Sequence, residues 1–484
     1  MWIANGFIPL LHENQQLEDV GDLYFMDLLR RSLFQDVQRD ERGDIRWCKM
    51  HDLIHDVAQL VTRFEYSNSD TKNVTERTRH VSFAYYISTQ LVRGNKLRTL
   101  ILKDQRLEKK DFKRIVSTHK CLRLLDLPNM KIKTVPNYIS KLKHLRYLDL
   151  SSYLIKYLPS SITKLQNLQT LKLNSCHCLK ELPRDFKKLV NLNHVELDEC
   201  LDLIGMPVGL GQLRSLLTLT RFVADLNSSG LSELQNLNNL RGRLSIKMFG
   251  RPRGHSCSNS RWWCLKDATA AEGVTNYLEA KQYLKMLVLQ FDRDEDNGVL
   301  LESLRPHPNL KELGIDRYGG VSFQPSWMMV DKIGLFSSFL PNLVRINMSN
   351  CHSKHLPLFG QLPSLQFLRL LFMNSLEYME DKSSSEDSLC SSSSSSGGGA
   401  PTPTFFPSLK TLDLWKLPKL KGWWRSQAEE EATTTLQDQQ QQHLNKLPSF
   451  PSLSQLSIRW CPNLASMPIL QPCLEQLDLH EVSK

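Results

Sequence analysis

The chain is 484 residues long, 41% of them hydrophobic, with 61 basic side chains against 51 acidic ones. That hydrophobic share suffices for a continuous core, and the two charge signs are interleaved, which argues against a phosphate track despite the formal charge of +10. No run approaches the roughly 18 apolar residues of a membrane-spanning helix and no charged, apolar leader opens the chain, so it is expected to be soluble and cytoplasmic, with the nucleus also open to it.

Residues 1–62 do not repeat. Leu17, Val20, Tyr24 and Leu28 recur at helical spacing and predict one amphipathic helix ending near Arg30 and Arg31. Ser32 to Val37 reads as a strand, Asp40 to Asp44 as a polar turn, and Ile45 to Met50 as the hairpin partner. A second helix follows, with Leu53, Ile54, Val57, Ala58 and Val61 on one face. Helix, hairpin, helix is a winged-helix arrangement, or the latter part of one. Residues 63–95 are expected to form a linker and the start of the next domain. Within them Asn68 to Arg79 is polar and irregular, and HVSFAYY (His80 to Tyr86) is the first strand-like run.

From Leu97 onward one phrase recurs thirteen times: two aliphatic anchors three apart and a third two further on. LRTLIL (Leu97, Leu100, Leu102), LRLLDL (Leu122, Leu125, Leu127) and LRYLDL (Leu145, Leu148, Leu150) are early copies, and LEQLDL (Leu474, Leu477, Leu479) is the last. The early copies start 25, 23, 23, 24 and 24 residues apart, a leucine-rich-repeat period. One such unit cannot bury its apolar face alone, so the units must stack. The fold class predicted is α/β: a solenoid with a curved parallel sheet and an irregular convex side over 96–484, behind the small winged-helix-like domain. The anchors should face the core and the residues between them should face outward. An aliphatic-Pro phrase after several strands, as at Leu158-Pro159 and Leu182-Pro183, should set an extended return path.

Three segments break the period and are expected to be disordered insertions: about 250–261 (rich in Gly, Arg and Ser), 381–404 (Ser and Gly) and 426–446 (acidic, Thr and Gln). Cys176, Cys200, Cys351 and Cys461 each stand three residues after the last anchor of a repeat. There a small side chain should bond the backbone as the coil leaves the sheet. Cys176 and Cys178 form only C-x-C, so no metal is expected.

No phosphate loop, nucleophile elbow, zinc-protease or dinucleotide motif occurs. Asp126, Asp149, His194, Glu196, Asp413 and Asp478 lie scattered on strand faces, which gives no catalytic constellation and predicts a protein that is not an enzyme. One short motif stands out, Met50-His51-Asp52. His51 falls where a strand turns into a helix, and the free N–H groups there favour an anion. Asp52 is suited to cap that helix.

WIANGFI (Trp2 to Ile8), VGDLYFMDLLRRSLFQDV (Val20 to Val37) and CKMHDLIHDVAQ (Cys48 to Gln59) closely resemble the winged-helix segment of plant coiled-coil-type nucleotide-binding leucine-rich-repeat disease resistance proteins. LRGRLSI (Leu240 to Ile246), DATAAEGVTNYLEAKQYLKMLVL (Asp267 to Leu289) and LRPHPNLKELGI resemble the repeats of the same family. The resemblance implies that His51, with Asp52 beside it, senses the β-phosphate of ADP in an inactive state. It also implies that the repeats restrain the nucleotide switch and detect a pathogen effector or a guarded host protein. The family's coiled-coil and nucleotide-binding domains are absent from this sequence. Met1 directly precedes the WIANGFI phrase, which suggests a truncated gene product or an incomplete gene model.

Micromolar affinity needs about 8 kcal/mol, and one charge-assisted hydrogen bond supplies roughly 1.5–3. No cofactor is therefore expected for this chain alone, and ADP or ATP only for a longer family member. Protein partners are expected: the effector or guarded protein, or a nucleotide-binding domain of its own or of a partner. The outward residues suited to such contacts are Tyr147, Met286, Arg345, Phe367, Arg369, Trp415 and Arg459. An adaptor or decoy without switching ability is the main rival. An extracellular receptor should carry a leader and a paired-cysteine cap. DNA binding through Arg30, Arg31, Arg39, Arg42 and Lys49 is opposed by Asp36, Asp40, Glu41 and Asp44 in the same hairpin.

Overall fold

The computed structural model describes residues 1–9, 15–40, 42–62, 64–67, 75–83, 96–102, 108–129, 133–224, 230–248, 276–292, 298–323, 325–328, 340–357, 359–381, 406–425, 450–469 and 471–482. The three expected insertions lie outside these residues, apart from Asp381. Internal contacts divide the chain into two units, Met1–Leu203 with Pro207–Leu216, and Ile204–Met206 with Leu217–Lys484.

The first unit opens with α1 (Trp2–Asn5) and α2 (Leu17–Arg30), then β1 (Phe34–Arg39), β2 (Ile45–Met50) and α3 (Asp52–Val61). β1 and β2 pair antiparallel. Their turn is closed by the Asp40 carboxylate, which accepts from the Arg42 and Asp44 amides at 2.9 and 3.0 Å. Gly43, with φ 82°, supplies the left-handed step.

A parallel sheet follows, in chain order: β3 (Tyr66–Ser67), β4 (His80–Phe83), β5 (Thr99–Leu102), β6 (Leu124–Asp126), β7 (Tyr147–Asp149), β8 (Thr170–Lys172) and β9 (His194–Glu196). It begins one strand earlier than HVSFAYY, because Tyr66 and Ser67 pair with His80 and Val81. Two residues are too few to show alternation. Between β5 and β6 lies α4 (Lys109–Thr118), which buries Phe112, Ile115 and Val116 while its lysines face water. Apolar residues three and four apart make a helix that packs from one side only.

The second unit starts with the two-residue β10 (Thr218–Leu219). Nine parallel strands follow, ordered β11 (Arg221–Ala224), β12 (Gly242–Met248), β13 (Leu284–Gln290), β14 (Glu312–Asp316), β15 (Arg345–Ser349), β16 (Phe367–Leu371), β18 (Thr411–Trp415), β20 (Gln455–Cys461) and β21 (Gln476–Val482). β17 (Tyr378–Asp381) and β19 (Gly422–Arg425) form a small parallel side sheet.

The anchors fill the core. Leu122, Leu125, Leu127, Leu145, Leu148 and Leu150 are at most 1% exposed. Burying each such side chain contributes roughly 1.5–3 kcal/mol. The last copy differs: Leu477 and Leu479 on β21 are exposed, since no described strand follows them in the sheet.

Two residues beyond the third anchor the chain takes a left-handed step, at Asn129, Ser175, Glu199, Arg317, Asn350, Phe372, Lys416, Trp460 and Glu481, with φ from 51° to 61°. Several of these amides donate to a carbonyl of the next repeat, as Ser175 does to Asp198 (2.7 Å) and Lys416 to Arg459 (2.9 Å). The step thereby adds a rung to the ladder while turning the chain away. The next residue is the cysteine slot, and all four cysteines there are buried. The Cys200 thiol donates to the Leu173 carbonyl at 3.1 Å and the Cys351 thiol to that of Ser349 at 3.3 Å. The return path is extended through the aliphatic-Pro phrases, where Tyr157 bridges in parallel to Thr134 and Glu181, and then coils into 3-10 turns. Ser160–Lys164 follows Pro159, and Asn137–Lys141 follows Pro136. Pro136 and Pro159 are the extended N-cap residues of those turns, and each disfavours helix in the residue before it.

Candidate functional site

The Met-His-Asp corner joins the hairpin to α3. β2 ends at Met50 and the helix begins at Asp52, so His51 is the last non-helical residue. Its amide donates to the Leu33 carbonyl at 2.9 Å. Its Nδ1 accepts from the Leu53 amide at 3.3 Å, which leaves the neutral ring's proton on Nε2. His51 therefore caps the helix, and the expectation that Asp52 does so is corrected. A cap must come from the half-in residue, whereas Asp52 is already helical. The Asp52 carboxylate instead meets Lys49 Nζ at 2.8 Å, and that hydrogen bond holds it below the usual carboxylate range. Leu53, Val57, Leu60 and Val61 on α3 are exposed.

The outer face of the first unit's sheet is occupied by the chain's own N-terminal segment. Thr99, Leu124, Tyr147, Thr170 and His194 stand in register across β5 to β9. Ala4 of α1 packs against Leu124 and Tyr147, with Ile101 alongside. The Thr99 hydroxyl donates to Asn5 Oδ1 at 2.9 Å, and Arg123 Nη1 donates to the Asn5 carbonyl at 3.1 Å. Further along the row, Glu18 of α2 lies 3.0 Å from His194 Nε2.

Tyr147 is consequently only 4% exposed, and its reading as an outward contact residue is corrected. Alternation does turn it away from the core, but α1 covers it. Burial pushes its phenol pKa well above the usual value, and Asp149, Asp126 and Glu196 add to the effect.

The other six outward residues all lie on the second unit's sheet. Arg345 and Phe367 face each other on β15 and β16, the guanidinium carbon 3.9 Å from the ring centroid. Met286 is two strands from Arg345 in the same row, across Glu312. Arg369, Trp415 and Arg459 line one groove of about 380 Å³ on β16, β18, β20 and β21. Arg369 Nε donates to Asp413 at 2.9 Å, Arg459 Nε donates to Asp478 at 3.0 Å, and Trp415 stands opposite Arg459. At the rim, the Trp415 ring is 5.2 Å from that of Phe372, Lys416 Nζ is 5.4 Å from the Phe372 ring, and Trp460 stacks on His480 at 5.7 Å.

The family model for a leucine-rich repeat region matches residues 96–428, and that for the winged-helix domain of disease resistance proteins matches residues 1–58. The chain belongs to the leucine-rich-repeat disease resistance family. Disease resistance protein RGA2 of Solanum bulbocastanum is 35% identical over 99% of this chain and 43% of its own length. RGA4 of the same species is 34% identical over 99% of this chain and 42% of its own. This chain thus spans about two fifths of those relatives. Among solved structures, a domain of InlJ from Listeria monocytogenes is 13% identical over 66% of this chain and 64% of its own, at a TM-score of 0.41.

Among the described residues of the winged-helix match, His51 has its Nδ1 taken by the Leu53 amide, which leaves its Nε2 as the remaining ring nitrogen. Three of the basic residues weighed for DNA are tied up locally: Arg31 by Asp27, Lys49 by Asp52, and Arg39 by the Gly43 carbonyl. The described residues hold no group of three or more His, Cys, Asp or Glu placed for a metal, and no helix among them is long and apolar enough to cross a membrane. Sequence reasoning missed the rim formed by Phe372, Lys416 and Trp460. Its signal was available, as bulky side chains two residues past the third anchor, but all three stand at the left-handed step, where strand alternation no longer says which way a side chain points.

Proposed function

We propose that this chain is the sensing part of a plant immune receptor. Its repeat surface recognises a pathogen effector or a guarded host protein, and its winged-helix segment links that surface to a nucleotide switch. The observation that carries the reading is the contrast between the two outer faces. In the first unit the row from Thr99 to His194 is engaged by α1 and α2, whereas Arg369, Trp415 and Arg459 in the second unit remain exposed. A face clasped by the winged-helix segment can restrain that segment, while an exposed one can report a partner. Exposed aromatic and arginine side chains are the types that dominate interface energies. The chain acts by binding rather than by catalysis, in the cytoplasm.

His51 adds one phosphate contact when a nucleotide-binding domain supplies the others. Its Nε2–H donates, and the α3 N-terminus favours the negative charge. ADP or ATP is then held by the complete receptor and not by this chain alone.

A chimaera in which this chain replaces the matching region of RGA2 tests the reading. Such a receptor should stay quiescent without pathogen and change which isolates it resists. Unchanged specificity, or constant activity in uninfected tissue, would contradict it.

A further inference from the structure

The groove on the second unit has a charge order that specifies the chemistry of its occupant. Arg369 and Arg459 are each paired with an aspartate, yet the arginines stand outermost. The Arg369 side chain is 54% exposed against 22% for Asp413, and Arg459 is 47% exposed against 35% for Asp478. Each aspartate accepts from a guanidinium Nε and fixes its plane. Arg369 keeps both terminal nitrogens free of Asp413. Asp478 also accepts from Nη2 of Arg459, so a further carboxylate meets Arg369 end-on through its two terminal nitrogens and Arg459 through Nη1.

Strand order sets the spacing of these groups. Arg369 lies on β16, Trp415 on β18 and Arg459 on β20, which are successive neighbours in the sheet. Trp415 is in register with Arg459, one strand spacing of about 4.8 Å away, and on its other side with Leu371, so Arg369, opposite Asp413, lies one strand over and two residues earlier, diagonal to the ring. Phe372 and Lys416 extend the apolar and cationic character at the rim. Their left-handed backbone is one that asparagine or glycine adopts more readily, and Asn129 and Asn350 fill the same step elsewhere. Bulky residues here thus serve the surface rather than the turn.

We propose that this groove receives an extended protein segment that presents an acidic, an aromatic and a second acidic side chain on one side. The carboxylates lie on Arg369 and Arg459, and the ring lies against Trp415. A cationic segment is excluded by the same order, since it would meet the guanidinium groups before the recessed aspartates. This deepens the recognition reading above and rests on it.

Fluorescein-labelled peptides Glu-Gly-Phe-Gly-Glu, Lys-Gly-Phe-Gly-Lys and Glu-Gly-Ala-Gly-Glu, titrated with the full chain by anisotropy, test the assignment. The first should bind about tenfold or more tightly than the others and weaken as salt is raised. The pair Arg369→Gln with Arg459→Gln should abolish that preference. The pair Arg369→Glu with Arg459→Glu should transfer it to the lysine peptide, a gain that misfolding cannot produce. Equal binding of all three peptides, binding of none, or an unchanged preference in the variants would overturn the proposal. The chimaera result could still stand in that event, so the two failures are separable.

Discussion

His51 does two jobs at one corner. Its Nδ1 satisfies the Leu53 amide, one of the orphan donors of α3, and this fixes which nitrogen faces outward. Replacing it with alanine should cost about 1 kcal/mol in urea denaturation, whereas asparagine should hold the cap at little or no cost. Equal stability of the alanine variant would show that the cap contributes nothing. The motif was legible in the sequence as a strand-to-helix corner. The division of labour within it was not, because it depends on which residue holds the last extended backbone conformation.

At the scale of the repeat, the left-handed step and the cysteine slot show why a bare leucine count underdescribes the chain. None of the nine non-glycine residues at that step is aspartate and six are neither asparagine nor serine, so composition gave no consistent turn signal. Extended ladders on both sides hold them there, and the step costs each roughly 1–2 kcal/mol relative to glycine. The hairpin, the long helix and the anchors were readable, since each shows its own period over several residues. The strand at Tyr66 and Ser67 was too short to do so.

Lys281 is another element-scale feature hidden from the sequence. It is fully buried, and its ammonium donates to the Leu234 carbonyl at the end of the 3-10 turn Gly230–Leu234 (2.7 Å) and to Asn238 Oδ1 (3.4 Å). Both partners are neutral, and burial lowers its pKa from 10.5 to about 8. Below that pH both the folded and unfolded chains hold the proton, and the cost of the buried charge is felt in full. From about 8 towards 10.5 only the unfolded chain holds it, so stability rises with pH. The wild type should gain about 1 kcal/mol relative to Lys281→Met between pH 7.5 and 9 in paired urea titrations. A constant difference would mean that Lys281 does not titrate in that range. Cys351, pushed up to about 12 by burial, acts in the opposite sense above pH 9, so the comparison belongs below it.

For the whole molecule, the periodicity foretold a stack of parallel strands with an outward face, but not what would cover part of it. Tyr147 carries the lesson. Alternation along β7 places it outward, and contacts reaching back to Ala4, Asn5 and Glu18 bury or engage its row. Such pairings span 94 to 176 positions in sequence, far beyond any local pattern. The same alternation served well on β16, β18 and β20, where no described segment lies across the groove and Arg369, Trp415 and Arg459 remain exposed.

Hydroxyl-radical footprinting of the full chain tests the claim that the N-terminal segment occupies this face. Tyr147 should be protected while Tyr153, 55% exposed on the same unit, is modified readily, and Ala4→Arg should raise the modification of Tyr147 towards that of Tyr153. Modification of Tyr147 as fast as Tyr153 in the unaltered chain would contradict the account.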